Sequence, residues 1–332
     1  MNKNLKSIAK LSGVSISTAY LVLHSKGSIS LKTRNNVLKV AKKINYTPKN
    51  NRPKKTNNIV SLIVDDISNT YFAELYDSLN VELKRQNKQL NIFSSNDSLE
   101  IQDSIIKNLV KINSSGIILV PASGTTEKDL ALFKHINPPL IIAIRNISSG
   151  SFNFVGTNPY LGAQIATEYL LKLGHKKIGF IGGNSENIAF SQRILGYKEA
   201  LRKKNIEIDK SLIVSGDTNV EFGRKKIKKI LKSKKITAAI GYNDSVALGI
   251  IIGMEELKLK VPKDLSVVGF DNIKFGTYKK TKLTTISSAP EKLGKLIATQ
   301  LFDKNDLSIK SSNISSITLT PNMIVRNSCS RL

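Results

Sequence analysis

The sequence predicts a small all-α head followed by an α/β body of two doubly wound parallel sheets. Three observations lead there. The first 60 of 332 residues carry 13 Lys/Arg and no Asp or Glu, the first acid being Asp65. Beyond them, short and nearly continuous apolar runs alternate with amphipathic stretches, as in strands buried on both faces and the helices covering them. That alternation occurs twice, over about 59–156 and about 159–286, and repeated β-α units imply right-handed crossovers.

The head is read from the apolar spacing. Leu5, Ile8, Ala9 and Leu11 predict a helix from about Leu5 to Ser12, with Gly13 as the turn residue. Ser15 is a good cap for a second helix, about Ile16 to His24, with Ala19, Val22 and Leu23 inward and Ser17, Thr18 and Tyr20 outward. Ser30 caps a third, about Leu31 to Ile44, whose apolar stripe is Val37, Leu38 and Ala41. Helix, tight turn, helix and closing helix make a helix-turn-helix unit, whose second helix enters the DNA major groove with its first residues against base edges. A generic three-helix bundle has the same outline, and a Lys-, Asn- and Ile-rich composition inflates charge everywhere. Neither explains a head without acids, which is suited to neutralising phosphate.

In the body, Ile59–Val64, Gly116–Val120, Leu140–Ile144, Lys177–Gly182, Ala238–Tyr242 and Ser266–Phe270 are predicted strands, and Phe72, Leu75, Tyr76, Leu79 and Leu83 mark a helix. The tail, about 288–332, is expected to brace both lobes. Ligands of such sheets bind beyond the carboxyl ends of the strands, so the residues just after each strand matter most.

Composition narrows the classes further. A body that is part of a chain with 40% hydrophobic residues supports full cores, and no run of about 18 apolar residues suggests a membrane span. The N-terminal residues do not read as a secretory signal, so a cytoplasmic location is expected. One cysteine, Cys329, excludes a disulfide within the chain, and three scattered histidines make a zinc site improbable. Gly179-Phe-Ile-Gly-Gly-Asn lacks the spacing of a dinucleotide loop, and no hydrolase, zinc-protease or P-loop motif occurs. No catalytic residue, metal or cofactor is therefore expected.

The words of the chain resemble a known family. Leu5-Lys-Ser-Ile-Ala-Lys-Leu-Ser-Gly-Val-Ser-Ile-Ser-Thr (5–18), with Ile44-Asn-Tyr-Thr-Pro (44–48), resembles the DNA-binding head of the lactose-repressor (LacI/GalR) regulators. The likeness extends through Asp65-Asp66-Ile-Ser-Asn-Thr-Tyr-Phe (65–72), Ala166 to Gly183, Arg193-Ile-Leu-Gly-Tyr, Val261 to Asn272 and Leu283-Thr-Thr-Ile. It implies a helix-turn-helix head over 1–48, a linker over 49–58 and, over 59–332, a two-lobed body like the periplasmic sugar-binding proteins, with a ligand in the cleft.

The expected DNA contacts are Ser15, Ile16, Ser17, Thr18, Tyr20, Leu21, His24 and Arg34, with Lys49, Arg52, Lys54 and Lys55 on the linker. The resemblance implies effector contacts at Ser68, Asn69, Tyr71 and Phe72 on one lobe and Arg193, Asn243, Asp244 and Asp271 on the other. Alternatives stand beside these: helix capping for Asp244, a turn role for Asp271, a surface ion pair for Arg193 and core packing for Tyr71 or Phe72. Three departures matter. Leu21 stands where the family has an arginine, so the operator should lack that guanine contact and be richer in A·T. The linker is short, lacks an apolar wedge and contains Pro53, which suits a basic tether rather than a hinge helix, or simply a disordered segment. Ile144-Arg145 replaces the family's Asp-Arg after the fourth strand, which weakens the case for an ordinary hexose.

The expected protein is thus a ligand-controlled transcriptional repressor acting as a homodimer on a palindromic operator, closing its lobes about crossovers near 157–159 and 287–289. The absence of a C-terminal heptad tail disfavours a tetramer. A solute-binding protein for transport or sensing and a ligand-independent architectural DNA binder are the alternatives.

Overall fold

The computed structural model describes residues 5–23, 29–44, 46, 58–134, 138–147, 151–233, 235–277, 282–302 and 314–332. The chain divides into two compact units, 1–56 and 57–332. In the first, α1 (Leu5–Ser12), α2 (Ile16–Leu23) and α3 (Leu31–Lys43) enclose a core of Ile8, Ala9, Ala19, Val22, Val37 and Ala41. Gly13, at φ +67°, ends α1 in the left-handed conformation that glycine tolerates without a Cβ penalty. Asn36 Nδ2 donates to the Ser12 carbonyl at 3.0 Å, tying α3 to that turn. Ser15 Oγ accepts from the Thr18 N–H at 3.0 Å and Ser30 Oγ from the Thr33 N–H at 3.3 Å, capping α2 and α3.

Two expected core residues face solvent instead. Leu11 is 46% exposed and Leu38 47%. Each lies about 100° round its helix from the centre of the buried face, so Ser12 and Val40 occupy the inward positions. His24, the linker residues Lys49, Arg52, Pro53, Lys54 and Lys55, and the rest of 47–57 lie outside the described residues.

The second unit holds two six-stranded sheets. The first contains β1 (Ile59–Val64), β2 (Gln89–Ser94), β3 (Gly116–Leu119), β4 (Leu140–Ala143) and β5 (Asn153–Thr157), with α4 (Thr70–Arg85) and α5 (Leu99–Lys111) between strands. The second contains β6 (Ile178–Ile181), β7 (Ile213–Val214), β8 (Ala238–Gly241), β9 (Ser266–Asp271) and β10 (Thr284–Ser287), with α6 (Pro159–Lys172), α7 (Ile188–Arg202), α8 (Val220–Ser233) and α9 (Asp244–Glu256). The tail supplies α10 (Pro290–Phe302), which packs on α4, then β11 (Ser316–Leu319) to the first sheet and β12 (Asn322–Ile324) to the second. The strand orders are β11-β5-β4-β3-β1-β2 and β12-β10-β9-β8-β6-β7, and among the described strand pairs only β10–β12 is antiparallel. In both sheets the order reverses beside the first strand, which opens a crevice at its carboxyl end. The chain crosses between lobes after β5, after β10 and between β11 and β12.

Helices that carry site residues approach their neighbours through glycine. A Cβ on Gly196 of α7 would lie 2.0 Å from the Tyr160 carbonyl oxygen of α6. A Cβ on Gly249 of α9 would lie 2.0 Å from the Val220 oxygen of α8. These contacts fix α7, which bears Arg193, and α9, which begins at the cleft. Two effects compete in Gly196→Ala. Helix propensity favours alanine by about 0.5–1 kcal/mol, whereas overpacking costs about 1–3 kcal/mol. A net loss of stability in urea unfolding is expected; a net gain would mean that α6 and α7 separate freely.

Candidate functional site

The floor of the cleft is an ion-paired cluster on the first lobe. Arg145, two residues beyond β4, donates through Nη2 to Asp65 Oδ2 at the end of β1. Its Nη1 donates to Asp97 Oδ1 at 3.2 Å and to the Pro121 carbonyl at 3.3 Å. Asp97 also accepts from the Ser123 N–H (2.8 Å) and Oγ–H (2.7 Å), and from Asn184 Nδ2 of the other lobe at 3.3 Å. Ile144 reaches φ +65°, rare for a β-branched residue, just before Arg145 turns into the cluster. Burial raises the Asp65 pKa while Arg145 opposes the rise. Burial works against the Arg145 charge, but Asp65, Tyr242 and Asp97 together outweigh it and the guanidinium pKa is raised.

The second lobe presents Arg193 from α7. Its guanidinium carbon lies 4.4 Å from the Tyr242 ring centre and 4.1 Å from that of Phe270, and Nη1 donates to the Tyr242 carbonyl. Both rings thus already face a cation. Asp271, at the end of β9 with φ +110°, accepts from Ser288 Oγ at 3.4 Å. Burial pushes its carboxyl up to about 7, with Arg193 and the Ser288 hydrogen bond opposing. Tyr71 packs edge-on against Phe72 at 5.5 Å, and burial holds its phenol well above the usual value.

Among the described residues, three buried side-chain atoms lack a hydrogen-bond partner: Asp65 Oδ1, Tyr71 Oη and Arg193 Nε. All three residues line one void, of about 40 Å³, between the lobes. Leaving such atoms unsatisfied costs about 1–3 kcal/mol each, so the meeting of all three residues at one void identifies a place built for polar occupants. The void holds a few waters at most, one needing about 10–15 Å³. It sits beside a larger chamber of about 510 Å³, which Asp65 and Arg145 also line.

The structure brings Asn69, Tyr71, Phe72, Arg193, Asn243 and Asp271 to the inner void. Asn69 also caps α4 by accepting from the Tyr71 N–H at 3.1 Å. Asn243 caps α9 through Oδ1 (2.9 Å from Val246 N) and donates to the Thr218 carbonyl (2.9 Å). Two expected contacts are placed otherwise. Ser68 is exposed and turned back on Asp66, donating from both N–H and Oγ at 2.8 Å. Asp244 is not the α9 cap and does not line the void. Its carboxylate accepts from the Ile273 N–H (2.9 Å) and Thr285 Oγ (2.6 Å), bracing two strand ends of its own lobe. Arg145, Asp97 and the chamber residues Asp66, Asn96, Asn184 and Asp217 were not expected. Asp97 and Asn184 each follow a strand, the one signal that points to them.

In the head, Ser15, Ile16, Ser17 and Tyr20 are exposed at the start and along one side of α2, while Thr18 and Leu21 are half-buried beside them. Arg34 is half-buried on α3. The described face carries no acid that would repel phosphate.

Comparison with known proteins agrees with both units. Residues 4–49 match the family described as bacterial regulatory proteins, lacI family, and residues 167–329 match a periplasmic binding protein-like domain. The chain is 29% identical over 295 residues to the HTH-type transcriptional repressor PurR of Vibrio vulnificus (strain CMCP6), covering 88% of each. It is 29% identical over 332 residues to the repressor of the same name from Histophilus somni (strain 2336), covering 99% of each. A LacI family transcriptional regulator from Enterococcus faecium, solved with bound ribose, aligns with TM-score 0.73 at 25% identity over 82% of this chain and 99% of that one. The lac repressor dimer bound to operator and the anti-inducer ONPF shares the fold, with TM-score 0.72 at 21% identity over 98% and 99%. The chain thus joins a helix-turn-helix head of the lacI family of bacterial regulatory proteins to a periplasmic binding protein-like body.

Proposed function

We propose that this chain is a transcriptional repressor that binds a palindromic operator as a homodimer and is controlled by a small molecule held between its lobes. The observation that carries the ligand half of this reading is that Asp65, Tyr71 and Arg193, each with an unpartnered buried polar atom, line one inter-lobe void. The DNA half rests on the exposed start of α2 in a head without acids. A two-fold protein on a palindrome doubles the contacts of one small head.

The effector belongs among sugars, nucleosides, purines and related metabolites, and the inner site suits hydroxyl groups best. An ionised Asp271 accepts from a pair of hydroxyls, Arg193 Nε donates, and the Tyr71 phenol does both. Stacking on a nucleobase has less support, because Tyr242 and Phe270 already face Arg193. Ser68 and Asp244 are left out of this ligand set. The cleft binds rather than catalyses, and the cytoplasm is the proposed location because the operator is there. No helix among the described residues is long and apolar enough to cross a membrane. Ligand closes the lobes about their three crossings, and it regulates only insofar as it prefers one lobe arrangement.

Selection from a random duplex library should return an inverted repeat. Leu21→Arg should shift one position of each half-site toward guanine, by about 1–3 kcal/mol of base discrimination. An unchanged site would mean that α2 does not read bases.

Effector binding should depend on pH through Asp271, which faces Arg193, Tyr71, Asp65, Arg145, Asp244 and Ser288. Its folded pKa is raised to about 7, so the folded apo-protein holds a proton that the unfolded chain releases near pH 4. The stabilisation present below pH about 4 is therefore lost as pH rises through about 7. A ligand donating to the carboxylate binds the ionised form. Its affinity should rise toward neutrality, by up to about tenfold per pH unit, with proton release in calorimetry. Asp271→Asn should flatten the profile; a profile unchanged by that substitution would exclude Asp271 from the ligand set.

A further inference from the structure

The outer chamber has a charge opposite to that of the rest of the protein. Beyond residue 60 the chain carries 38 Lys/Arg against 25 Asp/Glu, yet the chamber is lined by four aspartates, one arginine and no lysine. The arginine is Arg145, already paired with Asp65 and Asp97. Asp66 and Asp217, the other two, have no ion pair among the described residues; the remaining lining is amide, hydroxyl and glycine. A second observation points to an occupant. Asp65, whose side chain is 8% exposed and has Oδ1 unpartnered, lines both the inner void and the chamber and so stands where the two meet. A chamber of about 510 Å³ lies within the ~300–1,000 Å³ of small-molecule sites.

From this geometry we propose that the chamber binds a protonated amine, so that the effector is a polyhydroxylated amine such as an amino sugar. The inference rests on the reading of the cleft as the effector site. Its hydroxyls occupy the Arg193–Asp271 end and its ammonium lies beside Asp65 in the chamber, in the field of Asp66 and Asp217 rather than in contact with all three. An ammonium offers three donors to a wall rich in acceptors, and its charge offsets an excess of carboxylates that repels phosphorylated or carboxylated ligands. A metal ion fits less well. Among the described residues no group of three or more His, Cys, Asp or Glu is placed to hold one. Asp97 is also already engaged by Ser123, Arg145 and Asn184.

The test uses full-length protein and matched ligands differing only in hydroxyl against amine: glucose and glucosamine, galactose and galactosamine, cellobiose and its diamino counterpart. Glucose 6-phosphate, gluconate, Mg²⁺ and Ca²⁺ complete the panel. Thermal shift selects binders and calorimetry measures them. In at least one pair the amine should bind about ten- to a hundredfold more tightly than its parent, as one charge-assisted hydrogen bond allows. That preference should shrink with added salt and in Asp217→Asn and Asp66→Asn. Parents binding as tightly as amines, or anions more tightly, would overturn the amine site while leaving the cleft as effector site. Saturable Mg²⁺ or Ca²⁺ binding lost in the same variants would overturn it in favour of a metal. No response to any sugar, charged or neutral, would overturn both the amine site and the polyhydroxylated-ligand reading of the cleft.

Discussion

The Arg145 guanidinium, held between Asp65 and Asp97, is the interaction on which the cleft depends. It joins the carboxyl ends of β1 and β4 to the loop after β2, and Asp97 carries the connection to Asn184 of the other lobe. Its side chain is only 11% exposed and that of Asp65 8%, so removing one partner would leave a buried charge uncompensated, at a cost of about 3–5 kcal/mol. The cluster is nevertheless incomplete, because Asp65 Oδ1 has no partner. Asp244 in the second lobe is the contrast. It is equally buried, yet its two oxygens accept from Ile273 and Thr285. Satisfied carboxylates hold a lobe together; unsatisfied ones mark where something else must bind.

The head and the central strands were legible because their signals are local. Gly13, Ser15 and Ser30 punctuate the three helices, and β1, β3, β4, β6, β8 and β9 are apolar runs buried on both faces. Two missed strands, Asn153–Thr157 and Thr284–Ser287, are buried, but Asn, Gly, Thr and Ser interrupt their apolar runs. The other missed strands lack burial as well. Gln89–Ser94 alternates polar and apolar residues at a sheet edge, Ile213–Val214 is two residues long, and Ser316–Leu319 and Asn322–Ile324 are half-exposed. Leu11 and Leu38 show the complementary error, in which an apolar residue at nearly helical spacing falls off the buried stripe.

The site was legible in part, and mainly through resemblance. Tyr71, Phe72, Arg193 and Asp271 line the void. Ser68 and Asp244 sit in matching segments, but their hydrogen bonds turn them elsewhere, which sequence alone does not encode. Arg145 attracted notice only for its odd neighbour Ile144, and its pairing with Asp65 spans 80 residues. The acidic chamber was equally hidden, since Asp66, Asp97 and Asp217 come from loops far apart in the chain.

A cleft with unsatisfied polar atoms and a base-reading head form a regulator only if the two are energetically linked. Linkage is reciprocal: whatever factor the ligand changes operator affinity by, the operator must change ligand affinity by the same factor. The decisive measurement is therefore the operator Kd at zero and saturating concentrations of the tightest-binding ligand of the panel, with the ligand Kd measured on free and operator-bound protein. The account predicts one common factor, about 5–150-fold. An operator Kd unchanged at saturating ligand would contradict it, leaving a DNA-binding head and a binding cleft with no regulatory connection.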